Sequence, residues 1–146
     1  MVKIRIPLPE RDASGANAEW LWAAPIGNNT YALRNIPIFV FGLSYDDVVV
    51  AEPEGENLAF RRVIGRGGHS TYRIYSKPNR HDPKVIYLLE QVFRLGCDLE
   101  PATDRIVGVD VLPKTDVHAV YAALQKAEDA GILEFEEGHC GHPLRD

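Results

Sequence analysis

The sequence predicts an α+β protein in which a small antiparallel β-barrel-like sheet is followed by a ferredoxin-like β-α-β-β-α-β unit. Two observations carry this expectation. Short runs rich in β-branched and aromatic residues recur as far as residue 64, separated by turn-forming stretches. Beyond residue 82 the apolar period lengthens to that of two amphipathic helices, each flanked by strand-like runs.

In chain order, Glu19-Trp20-Leu21-Trp22-Ala23 alternates, with both tryptophans on one face and Leu21 on the other. Gly27-Asn28-Asn29-Thr30 supplies a turn into Thr30-Tyr31-Ala32-Leu33-Arg34. Strands are then expected at Ile38-Phe39-Val40-Phe41, Val48-Val49-Val50-Ala51 and Leu58 to Ile64. In the second half they are expected at Thr71 to Tyr75, Asp98 to Glu100, Ile106 to Val111 and Leu133 to Glu136. Asp82-Pro83 forms an N-cap and N1 pair for a helix whose stripe is Val85, Ile86, Leu88, Leu89, Val92 and Phe93, closed by Gly96. A second helix starts near Thr115-Asp116, buries Val117, Val120, Tyr121, Leu124 and Ala127, and ends at Gly131. The boundary falls near residues 65–70, which defines subdomains 1–68 and 69–146. Pro143-Leu144-Arg145-Asp146 and the residues just before it are expected to fray.

A chain of 146 residues with 45% hydrophobic content can bury a substantial core. Its charge of −5 is unevenly spread. Residues 1–60 carry eight acids and four bases, residues 61–84 one and seven, and residues 85–146 twelve and five. An acidic chain with one basic band disfavours duplex nucleic acid but leaves room for a local anion site. The N-terminus lacks the apolar run of a signal peptide and no window has the length of a membrane span, so a cytoplasmic protein is expected. Cys97 and Cys140 are then expected to be reduced.

The motifs Glu19-Trp20-Leu21-Trp22-Ala23, Asn35-Ile36-Pro37-Ile38-Phe39, Gly42-Leu43-Ser44-Tyr45-Asp46-Asp47-Val48-Val49, Gly68-His69-Ser70-Thr71 and Arg73 fall in order along the chain. Together they resemble a bacterial family called domain of unknown function 4265, over about Glu19 to Glu137. The resemblance implies a soluble bacterial protein of this size and no catalytic assignment. One departure is Asp46-Asp47-Val48, where the family pattern has Gly-Asp-Val before a strand.

Candidate chemistry concentrates in Gly65-Arg66-Gly67-Gly68-His69-Ser70-Thr71-Tyr72-Arg73. Arg66, His69, Ser70 and Arg73 form the candidate anion or ligand site, because a guanidinium presents forked donors to a carboxylate or phosphate. The glycines precede a strand and lack a P-loop ending, so a nucleotide cradle is the less favoured reading. His69 and Ser70 are adjacent in a strand and point opposite ways, which disfavours a catalytic pair. The bland reading has them satisfying backbone groups at the strand start, while Thr71 and Arg73 share a face. His139-Cys140-Gly141-His142 with Cys97 gives poor spacing for a metal, and neither metal nor cofactor is expected. Trp20, Trp22, Tyr31, Phe39, Phe41 and Phe60 stand among residues with one base, Arg34, so most of these rings are expected in the core.

The leading functional reading is a non-enzymatic binding or interaction module with a protein partner, immunity- or antitoxin-like, neutralising a basic protein. The alternative is a sensor of an anionic small molecule or nucleotide at residues 66–73. A hydrolase using His69 and Ser70 ranks last. A homodimer through edge strands is compatible with the sequence.

Overall fold

The alternation Lys3-Ile4-Arg5-Ile6 places two charges on one face of a strand and two isoleucines, both almost wholly buried, on the other. In the computed structural model, residues 1–9 and 17–144 are described, and this N-terminal stretch is β1 (Val2–Pro7). It pairs antiparallel with β2 (Ala18–Gly27), followed by β3 (Thr30–Leu33), β4 (Val48–Glu54) and β5 (Asn57–Gly65). A parallel pairing of Ile4 with Leu58 and Arg5 with Ala59 brings β5 back to β1 and closes a five-stranded barrel. Its interior holds Ile4, Ile6, Leu21, Ala23, Leu33, Leu43, Val49 and Ala51.

The second unit is a four-stranded antiparallel sheet in the order β7-β8-β6-β9, built from β6 (Ser70–Ser76), β7 (Cys97–Pro101), β8 (Ile106–Val111) and β9 (Leu133–His139). Helices α1 (Pro83–Gly96) and α2 (Val117–Asp129) cover one face, against Tyr72, Ile74, Val107, Val109, Val111 and Leu133. Among the described residues the chain is thus a mixed α+β fold of nine strands and two helices. No helix is long and apolar enough to cross a membrane.

Local chemistry sets the helix ends. Asp82 accepts from the Lys84 amide at 2.9 Å, and Asp116 accepts from His118 and Ala119 at 3.0 and 3.3 Å. Gly96 and Gly131 leave their helices at φ +113° and +76°, where a Cβ is disfavoured.

Several expectations are corrected. Residues 38–41 form no strand; they belong to a loop spanning residues 34–47. Leu43 and Val40 of this loop plug the barrel core, while Ile36 and Ile38 lie against Gly108 of β8. Strand β1, unassigned from sequence, completes the barrel. On the helices, Ile86, Phe93 and Tyr121 are 40%, 61% and 47% exposed instead of buried. Trp20, Trp22 and Phe41 likewise face outward at 43%, 41% and 60%. The C-terminal segment does not fray through residue 142, because His142 is buried under Leu112 and Ser70. Arg145 and Asp146 lie outside the described residues.

A Cβ at Gly108 would sit 2.7 and 2.9 Å from side-chain atoms of Ile38 and Ile36. Gly108→Ala is therefore expected to cost about 1–3 kcal/mol by pushing the loop off the sheet. At Gly65 the added carbon would meet Val48 at an ordinary 3.5 Å. Gly65→Ala should be neutral or stabilise by up to about 1 kcal/mol. Urea unfolding of the two variants measures the contrast; equal effects would mean that the contact at Gly108 does not constrain the loop.

Candidate functional site

A loop without regular structure, trapped between two cores, has peptide groups that need partners other than water. Residues 38–40 find them in two side chains of opposite charge. The Glu19 carboxylate, reaching from β2, accepts from the amides of Ile38, Phe39 and Val40 at 2.7, 3.0 and 2.9 Å. From the sheet, Arg73 donates through Nε to the Ile38 carbonyl at 2.6 Å and through Nη2 to the Val40 carbonyl. Arg73 is wholly buried, with its guanidinium 4.7 Å from the centroid of the Phe41 ring and its Nε 3.8 Å from Glu136.

Neighbouring contacts extend this joint. Glu100 of β7 accepts from Asn35 and from the Ile36 amide, and Ser44 bonds Thr71 at 2.7 Å. The Gly42 amide donates to the Gly138 carbonyl at 2.9 Å, so the loop reaches the far edge of the sheet. Gly138 has no room for a Cβ beside the Arg73 guanidinium. The face of the sheet opposite the helices is covered by the protein's own loop.

Each residue of the predicted anion site has an internal partner. Arg66 is half-exposed, but its Nη1 donates to Asp47 at 2.8 Å and to the Gly42 carbonyl at 2.7 Å. His69 is buried with Nδ1 2.7 Å from Asp110, and Tyr45 packs on its ring with centroids 5.5 Å apart. Ser70, fully buried, bonds His142 Nδ1 at 2.6 Å and accepts from the Gly141 and His142 amides at 2.9 and 3.3 Å. Arg73 points inward to the loop. His69 and Ser70 face opposite sides of the chain, whereas Thr71 and Arg73 face the loop together.

This geometry contains a serine–histidine hydrogen bond and a separate histidine–aspartate pair, with all four residues buried. His142 Nε2 is 2.9 Å from the Leu112 carbonyl, so both of its ring nitrogens are held inside the protein. Burial raises the Asp110 pKa, opposed by the hydrogen bond and charge of His69. Burial, with Asp110 and Asp98 nearby, pushes the Cys97 thiol up to about 12, which favours its protonated form. Both cysteines are free, and no three His, Cys, Asp or Glu side chains among the described residues gather to hold a metal.

Sequence reasoning assigned no role to Glu19 or Asp110 and weighed His142 only as a poorly spaced metal ligand. A signal existed for Glu19, because strand alternation puts its carboxylate on the inward face with Leu21 and Ala23. Asp110 similarly shares a face with Gly108, away from Val107, Val109 and Val111. The side-chain partners of Glu19, Asp110 and His142 lie 19 to 72 residues away, which local spacing does not reveal.

The family model for domain of unknown function 4265 (DUF4265) matches residues 19–135, and the chain belongs to that family. Among solved structures, a hypothetical protein from Neisseria gonorrhoeae is similar at a TM-score of 0.83 and 24% identity. The alignment covers 97% of this chain and 96% of that one, and it shows a shared fold. No curated protein matches.

Arg73→Met removes the donors to both loop carbonyls and is expected to cost about 3–5 kcal/mol. Glu19→Gln keeps one acceptor oxygen and is expected to lose about 1–3 kcal/mol. Chemical denaturation checks both, and losses well under 1 kcal/mol would show that the joint is dispensable.

His139, at the end of β9, has its pKa lowered from 6.5 by burial and by Arg66. As pH falls through 6.5 the unfolded chain takes up the proton first, so stability drops until the depressed folded value is passed. The stability difference between wild type and His139→Gln should shift against the wild type between pH 7.5 and 5. A pH-independent difference in paired urea titrations would contradict this.

Proposed function

We propose that this member of the family is a non-enzymatic interaction module for a protein partner, with the contact on the outer face of α1. The observation that carries the reading is the exposure of Ile86 and Phe93, at 40% and 61%, seven residues apart on one side of the helix. Ile86 and Phe93 border a shallow groove with Leu89, Glu90, Arg94 and Leu99. An exposed ring beside aliphatic side chains, rimmed by Glu90 and Arg94, is an ordinary form of binding hot spot.

Two further observations support it. The residues that an enzyme or an anion sensor would use are held by internal partners. The net charge of −5 suits a basic partner, as for an immunity or antitoxin protein. The sensor alternative would require Arg66 to exchange Asp47 for a ligand and Arg73 to release the loop carbonyls.

We take the second unit to be ferredoxin-like, supported by the chain order β6-α1-β7-β8-α2-β9 and the sheet order β7-β8-β6-β9. Subdomains 1–68 and 69–146 follow the break between β5 and β6. We place the protein in the bacterial cytoplasm.

The test compares wild type with Phe93→Asp in affinity isolation from the native organism, followed by binding of the purified partner across a salt series. A single partner is expected to bind the wild type, to lose at least about tenfold in affinity with Phe93→Asp, and to weaken as salt rises. Equal binding by Phe93→Asp would move the contact off α1. Salt-independent binding would remove the basic-partner reading.

A further inference from the structure

The outer wall of the barrel carries both of the chain's tryptophans, and these rings are neither core nor part of the α1 surface. Trp20 and Trp22 stand at alternate positions of β2, both facing solvent. Their cross-strand partners on β1 are Arg5 and Lys3, in the register Arg5 with Trp20 and Lys3 with Trp22. The Lys3 ammonium lies 4.9 Å from the centroid of the Trp22 ring. Among the described residues neither Lys3 nor Arg5 forms an ion pair. Beyond β1, Arg5 pairs with Ala59 of β5, a side chain too small to screen it.

We propose that this stripe binds single-stranded nucleic acid. Three features favour that ligand. First, Trp20 and Trp22 stand two residues apart on one face of β2, about 6.6–6.8 Å by strand geometry, and so offer two neighbouring aromatic surfaces. Two indole faces at that interval can stack on unpaired bases of one strand, and stacking tolerates any base. Second, Lys3 lies over one face of Trp22 and Arg5 is the cross-strand neighbour of Trp20, which sets two cations within reach of the phosphates of a strand stacked on the open ring faces. Third, a duplex hides its base faces and offers the tryptophans nothing to stack on. The basic residues come from β1, far in sequence from the aromatic run, so a local search around the tryptophans does not find them.

Because both tryptophans lie in the stripe, intrinsic fluorescence reports the site directly. The experiment titrates the full chain with a short oligothymidylate and, in parallel, with poly-glutamate, across a salt series. Quenching by the oligonucleotide is expected, with log affinity falling against log salt at a slope of about −1.4 for two neutralised phosphates. Trp20→Ala should weaken binding about 5- to 150-fold, the equivalent of one base stack, and Trp20→Phe should restore most of it. Lys3→Gln combined with Arg5→Gln should bring the slope near zero. Absence of quenching by the oligonucleotide would overturn the proposal, as would a slope unchanged in the double variant. Equal affinity for poly-glutamate would overturn it in favour of an acidic protein segment.

Discussion

One carboxylate and one guanidinium, gripping three consecutive peptide units from opposite sides, hold the two halves of this protein together. Glu19 takes the amides of residues 38–40 from the barrel side, and Arg73 takes the carbonyls of Ile38 and Val40 from the sheet side. Each charge alone would be expensive to bury, and each is made tolerable by hydrogen bonds that the loop's backbone needs anyway. The segment between them therefore acts as a common layer. Its apolar side chains complete the barrel at Val40 and Leu43 and fill the space over Gly108 at Ile36 and Ile38.

In this arrangement the most reactive-looking part of the sequence is engaged by internal partners. The band from Arg66 to Arg73 meets the loop from the sheet side, so its polar groups are directed at Asp47, Asp110, Ser44 and backbone carbonyls. The motifs through which the chain resembles its family are largely the two sides of this joint: the strand with Glu19, the loop from Asn35 to Asp47, and the strand with Thr71 and Arg73. Their spacing is set by the need to bring a carboxylate, a loop and a guanidinium together. The two surfaces proposed for partners lie elsewhere, on the exposed side of α1 and on the outer wall of the barrel.

Much of the architecture was legible because it is coded locally. Asp82-Pro83, Asp116, Gly96 and Gly131 mark the helix ends within one turn, and alternation marks β2, β6 and β8. The misreadings share one cause, since the deciding partner is distant in sequence. Ile38 to Phe41 has strand composition, yet Glu19 and Arg73 satisfy its peptides and no neighbouring strand does. Trp20 and Trp22 look like core residues until β1 is known to place Ile4 and Ile6 inside with Leu21, leaving the rings beside Lys3 and Arg5. The tail after β9 has no periodicity, but His142 is anchored by Ser70 and Leu112 across the sheet. At the site, the residue types of Arg66, His69, Ser70 and Arg73 were conspicuous, while the acids and carbonyls that engage them were not.

Amide hydrogen exchange at Ile38, Phe39 and Val40 tests the joint most directly. These residues belong to no helix or strand, so an ordinary surface loop would exchange there about as fast as a free chain. If Glu19 and Arg73 bind the two sub-units through this segment, the three amides should exchange as slowly as that of Ile74 in the centre of the sheet. They should then open only when the whole protein unfolds. Fast exchange at these positions, with Ile74 still protected, would contradict the account and reduce the clamp to a surface contact.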